Sequence, residues 1–297
     1  MLSPSPHYRV LPRFEYHQPR SLQEAVAMLN QYGEKAELIA GGTDILVSMR
    51  NHERAPQHLV GLVNIVGLDF VAYDGKNLKI GALTRVRLVE ESEPIRERYM
   101  ALHEAASALA SVQIRNMATV GGNLCNASPA ADLPPALIVL GAQASIMGPD
   151  GTRTSPLEDF FLGVGKTVLK RNEILTDVTV PHLRSDSGSA FLKMGRTAMD
   201  ISKVNVAVCL TMSKNVCESA MVALGSVAPV PLRVRKAEEM LVGKEMNDDT
   251  IGETAIVASE ETEPISDVRS TAEYRKEVAK VIVRRALRIA VDRVKRR

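Results

Sequence analysis

Two stretches of the sequence follow the same order of residue types, ATVGGNLCNASPAADLPPAL at residues 118–137 and LIAGGTDIL at residues 38–46. In each, a short apolar run stops at paired glycines, and a polar residue comes directly after the pair. Paired glycines at the end of an apolar run are typical of a turn between a strand and a helix. The same arrangement also suits a loop that holds a phosphate group, so the sequence leaves both interpretations open at this point.

The phosphate interpretation has a specific chemical basis. A diphosphate needs several N–H donors at close range, and glycine permits this because it has no Cβ and adopts positive φ readily. Hydrogen bonds to a charged group contribute about 1.5–3 kcal/mol each in a protected site. Thr43, Thr119 and Asn123 add side-chain donors, and Asp132 offers an acceptor for a sugar-like hydroxyl.

The composition excludes several classes of protein. The 297 residues are 45% hydrophobic and 24% charged with a net charge of +2, which is ordinary for a globular chain long enough for two domains. The 4% aromatic content, with no tryptophan, argues against a base-stacking surface for nucleic acid. The N-terminal residues MLSPSPHYRVLPRF carry prolines where a signal peptide needs an apolar core. We therefore expect a cytoplasmic protein that does not insert into a membrane.

The sequence contains no recognisable metal or nucleotide-triphosphate signature. Its three cysteines are Cys125, Cys209 and Cys217, without CxxC spacing, and its six histidines are scattered. We therefore expect free thiols and no metal ion on this chain. GVGKT at residues 163–167 resembles the end of a Walker A loop, but the position of the first glycine is occupied by Phe160.

The pattern of apolar residues indicates mixed helices and strands. Helices are predicted over residues 21–32, with a Ser21–Glu24 capping box and Gly33 as the terminator, and over residues 94–112, 232–241 and 271–296. Strands are predicted over residues 37–40, 58–65, 77–84, 142–147, 173–180, 190–193, 204–212 and 218–224. Thr43 or Asp44 is expected to cap a short helix after the first glycine pair. The turn-rich stretch 181–189 is the predicted domain boundary.

The C-terminal 27 residues are strongly basic, with ten Lys or Arg against three Asp or Glu. Such a segment suits an anionic partner. It also places apolar residues along one helical side, namely Val278, Val281, Ile282, Ala286, Ile289 and Val294. We expect a helix that closes a domain and presents a solvated basic face.

Taken together, the motifs resemble a known family. Four motifs occur in an order and spacing that resemble the FAD-binding medium subunit of the molybdenum hydroxylases. They are LIAGGTDIL, QIRNMATVGGNLCNASPAADLPPAL, FFLGVGKTVLKRNEILTDVTVP and AFLKMGRTAMDISKVNVAV. That family includes the xanthine, aerobic carbon monoxide and nicotinate dehydrogenases. GSVAPVPLR and the tail STAEYRKEVAKVIVRRAL are similar to the family's smaller C-terminal domain, so the resemblance covers nearly the whole chain.

The resemblance implies an α+β fold: a two-part FAD-binding domain of the vanillyl-alcohol-oxidase (PCMH) type over residues 1–183, and a small α+β C-terminal domain, similar to that of the carbon monoxide dehydrogenase flavoprotein, over residues 187–297. It also implies a set of cofactor-binding residues. These are Leu38, Ile39, Ala40, Gly41, Gly42, Thr43, Asp44 and Ile45 in the first loop, Thr119, Val120, Gly121, Gly122 and Asn123 in the second, and Asp132, Leu175, Lys193 and Ile201 elsewhere. No side chain of this chain is expected to act as a catalytic acid or base.

By the same resemblance, the chain is an electron-transfer subunit with non-covalent FAD, and no histidine lies beside either glycine pair to attach the flavin. Partner subunits are expected to hold a molybdenum–pterin centre and 2Fe–2S clusters, in a dimer of heterotrimers. The 4-hydroxybenzoyl-CoA reductases of this family carry an additional cysteine-bearing loop after the second glycine pair, which this chain lacks, so no cluster is expected here. Two alternatives remain: a stand-alone flavin oxidoreductase of the same fold, and a cofactor-free binding module that uses the basic C-terminal helix.

Overall fold

The computed structural model describes residues 10–296. The first nine residues lie outside the described part, as does Arg297; this includes most of the segment used to argue against a signal peptide and the start of the predicted 1–183 domain. Three layers of structure follow one another along the chain, each built around its own sheet. Among the described residues, no helix has the length and hydrophobicity needed to span a bilayer.

The first layer is a small parallel sheet with two helices. Its elements are β1 (Glu15–His17), α1 (Leu22–Tyr32), β2 (Ala36–Ile39), α2 (Ile45–Arg50) and β3 (His58–Gly61), with strand order β1-β3-β2. Helix α1 begins as predicted, because the Ser21 hydroxyl caps it by accepting from Glu24 N at 3.1 Å. The Glu24 carboxylate accepts from the N–H of Arg20, the residue before the cap, so the second bond of the predicted capping box is shifted by one residue. It ends at Gly33, whose φ of 54° suits glycine.

The second layer is a five-stranded antiparallel sheet, in the order β4-β5-β10-β6-β7, with helices on one side. Its elements are β4 (Val71–Tyr73), β5 (Asn77–Gly81), α3 (Val86–Glu91), α4 (Glu93–Arg98), α5 (Met100–Ala108), α6 (Val112–Arg115), α7 (Val120–Asn126), α8 (Leu133–Val139), β6 (Gln143–Gly148), β7 (Gly151–Pro156), β8 (Phe161–Gly163), β9 (Lys166–Thr167) and β10 (Ile174–Pro181). The GVGKT stretch forms the tight β8–β9 hairpin, which is no phosphate loop of the Walker type.

The third layer is a four-stranded antiparallel sheet covered by helices. Its elements are β11 (Ser187–Met194), β12 (Val204–Ser213), β13 (Val216–Gly225), β14 (Leu232–Arg233), α9 (Arg235–Leu241), α10 (Asp248–Glu260) and α11 (Ala272–Lys295). The sheet is buried on both faces. Ala207 and Cys209 of β12 belong to the core of the second layer, whereas Val206 and Val208 pack with α11. The C-terminal domain is therefore joined to the second layer by a continuous apolar interface.

Several predicted elements differ from the structure. The helix predicted over residues 94–112 is interrupted at Tyr99, a buried residue with φ −123° and ψ 56°, and the α4–α5 helices end before residue 112. The helix predicted over residues 232–241 begins only at Arg235, because Leu232–Arg233 pairs with β13. Helix α10, capped by the Asn247 side chain, was missed. Helix α11 packs as expected, but Val281 is 42% exposed and does not belong to its buried side.

Candidate functional site

The largest feature near both glycine pairs is a cleft of about 520 Å³ between the first layer and the second. Its size falls in the range of small-molecule sites. Eleven of the seventeen predicted cofactor-binding residues line it: Leu38, Ala40, Gly41, Gly42, Thr43, Asp44, Ile45, Thr119, Gly121, Gly122 and Leu175. The fold thus brings together two loops that are about 80 residues apart in the sequence.

The first loop offers unused hydrogen-bond donors to the cleft. It follows strand β2 directly, and Gly42 has a φ of 75°, a conformation that favours glycine. Within residues 10–296, the N–H groups of Gly41, Gly42 and Thr43 donate to no other protein group. Asp44 occupies the N-cap position of α2, as predicted, but its side chain makes no capping bond and instead accepts from Asn126 Nδ2 at 3.1 Å. Three adjacent free amides fit an anionic group such as a diphosphate.

The second loop has a different structure from the first. Gly121 and Gly122 lie in the first turn of α7, with Thr119 as the N-cap. Its amides are already used: Val120 N donates to Thr84 O, Gly121 N to Ala82 O, and Gly122 N to Thr119 Oγ1 at 3.0 Å. A Cβ at residue 121 would lie 2.7 Å from Ala82 O, so this glycine allows α7 to pack against the chain after β5. The second loop therefore forms one wall of the cleft, while the free amides belong to the first loop.

Charged residues of both signs surround the cleft. Arg54, Lys170 and Arg171 supply positive charge, although Arg54 is paired with Glu37 at 3.1 Å. Burial raises the pKa of Asp44, while a hydrogen bond from Thr43 and the charge of Arg54 counteract this shift. Burial thus makes the ionised form of Asp44 less favourable, which suits a site beside an anionic ligand.

Six predicted residues do not line the cleft. Ile39, Val120 and Asn123 lie next to residues that do, and Asn123 Oδ1 is buried with no hydrogen-bond partner among residues 10–296. Ile201 is 53% exposed, on the segment between β11 and β12. Asp132 and Lys193 instead form a buried ion pair at 2.6 Å between the N-terminus of α8 and strand β11.

The pair formed by Asp132 and Lys193 is enclosed by protein. Asn205 Nδ2 donates to the other Asp132 oxygen at 3.0 Å, and Lys193 Nζ also donates to Ala108 O. Burial raises the pKa of Asp132, while the Lys193 ammonium and the Asn205 hydrogen bond favour its ionised form. In this arrangement Asp132 joins the FAD-binding region to the C-terminal domain, and each of its carboxylate oxygens accepts from a protein donor. FAD contacts by either residue remain predictions.

The structure adds cleft residues that the sequence analysis missed. Cys125 and Asn126 follow Gly121 and Gly122 by four positions, so helical spacing would have placed them on the same side of α7. Gly165 of the β8–β9 hairpin reaches the cleft because its N–H donates to Ala127 O at 3.0 Å. No local signal in the sequence connects that hairpin with α7.

The chain matches known protein families over nearly all of its described length. Residues 12–183 match the family described as "FAD binding domain in molybdopterin dehydrogenase", and residues 189–290 match "CO dehydrogenase flavoprotein C-terminal domain". The carbon monoxide dehydrogenase medium chain of Hydrogenophaga pseudoflava is 36% identical over 279 residues, covering 94% of this chain and 97% of that protein. The nicotinate dehydrogenase FAD-subunit of Eubacterium barkeri is 32% identical, covering 89% of this chain and 91% of that protein.

The fold is also shared with solved structures. A chain of the carbon monoxide dehydrogenase of Hydrogenophaga pseudoflava lacking the Mo-pyranopterin moiety superposes with a TM-score of 0.94 at 36% identity, covering 96% of this chain and 99% of that one. Quinoline 2-oxidoreductase from Pseudomonas putida 86 gives a TM-score of 0.90 at 29% identity, and the match covers 95% of this chain and 98% of that one.

The fold and the cleft define a flavoprotein component of an oxidoreductase, with the two-part FAD-binding domain and α+β C-terminal domain predicted from the motifs. The chain belongs to the FAD-binding medium subunits of the molybdenum hydroxylase family, together with the carbon monoxide, xanthine and nicotinate dehydrogenase relatives. The family prediction made from the ordered motifs is confirmed.

Proposed function

We propose that this chain is the electron-transfer subunit of a molybdenum hydroxylase complex, which takes electrons from 2Fe–2S clusters of a partner subunit and passes them to an acceptor such as NAD+ or a quinone. The observation that carries the proposal is the cleft in which the free amides of Gly41, Gly42 and Thr43 face the wall formed by Gly121 and Gly122. It is the part of the chain best suited to an FAD diphosphate.

The residues of the cleft have separate tasks in this proposal. The first loop binds the diphosphate through backbone N–H groups, and Lys170 and Arg171 balance its charge at the rim. Leu175, which is buried in β10, offers an apolar surface for the flavin ring. Bound FAD would supply the redox chemistry. The protein binds and orients the cofactor without a catalytic acid or base.

The names of the relatives support a multi-subunit assembly. Three are called medium chains and one an FAD-subunit, and a matching solved structure is described as a Cu,Mo-CO dehydrogenase. We infer that this chain works with a large molybdenum–pterin subunit and a small 2Fe–2S subunit in the cytoplasm, as a dimer of heterotrimers. The substrate pocket then lies in the molybdenum subunit and not in this chain.

The two alternatives receive less support. For the binding module, the basic C-terminal segment is part of a helix, α11, that buries nine residues against the C-terminal sheet and α10, so the segment has a structural role without any ligand. A stand-alone flavin oxidoreductase would need its own site for an organic substrate. The coverage of more than 90% of carbon monoxide dehydrogenase medium chains favours a subunit of a larger enzyme.

The proposal is tested in two stages. The purified chain is expected to release about one FAD on heating, identified by chromatography, and to bleach slowly or not at all with NADPH or heterocyclic substrates alone. After assembly with the co-expressed partner subunits, substrate should reduce the flavin absorbance in stopped-flow measurements. A colourless chain that does not take up added FAD contradicts the cofactor assignment. Rapid substrate turnover by the isolated chain contradicts its role as a subunit.

A further inference from the structure

Two histidines and a glutamate meet on the first sheet, on the side of the molecule where β1 begins. Glu15 and His17 are two positions apart in β1 and therefore lie on the same face of the strand. His58 begins β3 and is the register partner of Glu15. Parallel pairing thus brings together residues that are 41 positions apart in sequence.

The three donor atoms have the separations of a metal site. His17 Nε2 and His58 Nδ1 lie 3.1 Å apart, and Glu15 Oε2 lies 3.3 Å from His58 Nδ1 and 3.8 Å from His17 Nε2. A tetrahedral zinc ion with ligands at 2.0–2.1 Å holds its donor atoms about 3.3 Å apart. Two of the three separations are therefore close to those of a tetrahedral site, and the longer one, at 3.8 Å, involves the Glu15 side chain, which is 72% exposed.

An aromatic side chain holds the two imidazoles in place. The Tyr32 ring stacks on His58 with ring centroids 3.9 Å apart and an interplanar angle of 17°, and on His17 at 4.9 Å and 26°. Tyr32 is the last residue of α1, so the helix fixes both ring planes. Ligands restrained in this way lose little conformational freedom when they bind an ion.

Access and charge also suit a cation. The histidine side chains are only 18% and 16% exposed, while that of Glu15 is 72% exposed and opens the cluster to solvent. With both imidazoles neutral, the carboxylate gives the site one negative charge. In the metal-free state one imidazole nitrogen must donate to the other, whereas a cation accepts both lone pairs at once.

We propose that Glu15, His17 and His58 bind one zinc ion, with water as the fourth ligand. Two imidazole nitrogens and one carboxylate oxygen form a set of donors that zinc accepts, and the ion has no redox chemistry of its own. The site spans both ends of the three-residue strand β1 and the start of β3, whereas the first glycine pair follows the C-terminal end of β2. The bound ion links β1, a strand of three residues, to β3.

The test uses the full FAD-loaded chain after treatment with a chelating resin. Zinc chloride is titrated in by calorimetry, and the zinc-loaded protein is examined by X-ray absorption at the zinc edge. We expect one ion per chain, an absorption spectrum with two imidazole ligands, and affinity weakened about 100-fold in His17→Gln and in His58→Gln. The matched control, His52→Asn, changes an exposed histidine outside the cluster and should bind like the wild type.

A loss of zinc binding caused by unfolding is distinguished in two ways from one caused by removal of a ligand. FAD content and circular dichroism confirm the fold of each variant, and Glu15→Gln changes a mostly exposed side chain whose loss should weaken zinc binding without unfolding the first sheet. The proposal is overturned if the wild type takes up no zinc. It is equally overturned if Glu15→Gln and His58→Gln bind zinc as tightly as the wild type. Neither outcome bears on the FAD cleft, which is assayed separately.

Discussion

The carbonyl oxygen of Met117 packs directly against Cα of Gly41, so closely that a Cβ at residue 41 would overlap it. The first glycine loop is thus in contact with the segment that precedes the second. Gly41 is needed for this contact between loops, whereas its neighbour Gly42 is needed for a positive φ. The two glycines of one pair therefore have different physical tasks, and the cleft depends on both.

Replacing Gly41 with alanine should separate the two loops. We expect the free energy of unfolding to fall by about 1–3 kcal/mol, because the overlap is with backbone and requires movement of the loop. FAD content after purification should fall with it. Urea denaturation and chromatography of released flavin measure the two effects. The control is Gly252→Ala in α10, where a Cβ meets open space and stability should rise by up to about 1 kcal/mol. Equal behaviour of the two variants would contradict the role of the contact.

Thr119 should contribute to the cleft as a helix cap. Its hydroxyl accepts from Gly122 N, and replacement by valine removes this acceptor while keeping the shape of the side chain. We expect Thr119→Val to cost about 1 kcal/mol of stability and to weaken FAD binding, measured by fluorescence titration of the apoprotein. Thr119→Ser retains the hydroxyl and should restore most of both properties. A serine variant as defective as the valine variant would refute capping as the cause.

Variants of the ion pair between Lys193 and Asp132 can distinguish two roles, namely joining the two domains and contacting FAD. Lys193→Met leaves a buried carboxylate without its partner, and we expect a loss of about 3–5 kcal/mol. The double variant Asp132→Asn, Lys193→Met removes both charges and should recover much of that loss. If the predicted FAD contacts exist, both variants also weaken FAD binding at a temperature where they remain folded. Unchanged FAD affinity would restrict the pair to joining the domains.

Local rules predicted much of the first layer and of the cleft. The Ser21–Glu24 capping box and the Gly33 terminator depend on neighbours within four residues. The structure confirms the Ser21 cap and the Gly33 terminator, whereas the Glu24 carboxylate accepts from Arg20 N rather than from the N-cap residue itself. The glycine pairs were identified for the same reason, since each is a property of consecutive residues. The sequence pattern did not show that the two similar stretches adopt different structures. The first loop has free backbone amides, whereas the second glycine pair lies in the first turn of a helix.

Long-range contacts could not be predicted in this way. Lys193 and Asp132 are 61 residues apart, and only the packing of β11 beside α8 explains why they meet. His17 and His58 appeared scattered in the sequence, and parallel pairing of β1 with β3 places them in contact. Helix α10 has short apolar side chains and a weak periodicity, so its pattern gave no clear signal.

Arg115 should hold the segment that leads into the second loop. Its guanidinium donates to both oxygens of Glu90 and to the carbonyls of Leu109 and Ala110, the latter at a φ of 43°. Arg115→Met leaves Glu90 with only Arg87 and frees two carbonyls, so we expect a loss of about 3–5 kcal/mol in urea denaturation. Arg115→Lys should recover only part of the lost stability, because lysine lacks the planar guanidinium group that donates to several acceptors at once. Full recovery in the lysine variant would show that charge alone matters.

Glu173 should make stability depend on acidic pH. Its hydrogen bond with Arg153 lowers its pKa from 4.5, with further help from Lys170 N, although burial opposes the shift. Glu173 therefore takes up a proton at a higher pH in the unfolded chain than in the folded protein. Its contribution to the free energy of unfolding is complete above about pH 4.5, and it is lost as the pH falls through the lower pKa of the folded state. Arg153→Met should therefore flatten the decline of melting temperature below pH 4.5, while Lys166→Met, at an exposed position, should leave it unchanged. Parallel melting curves for the wild type and Arg153→Met across that range would contradict the assignment.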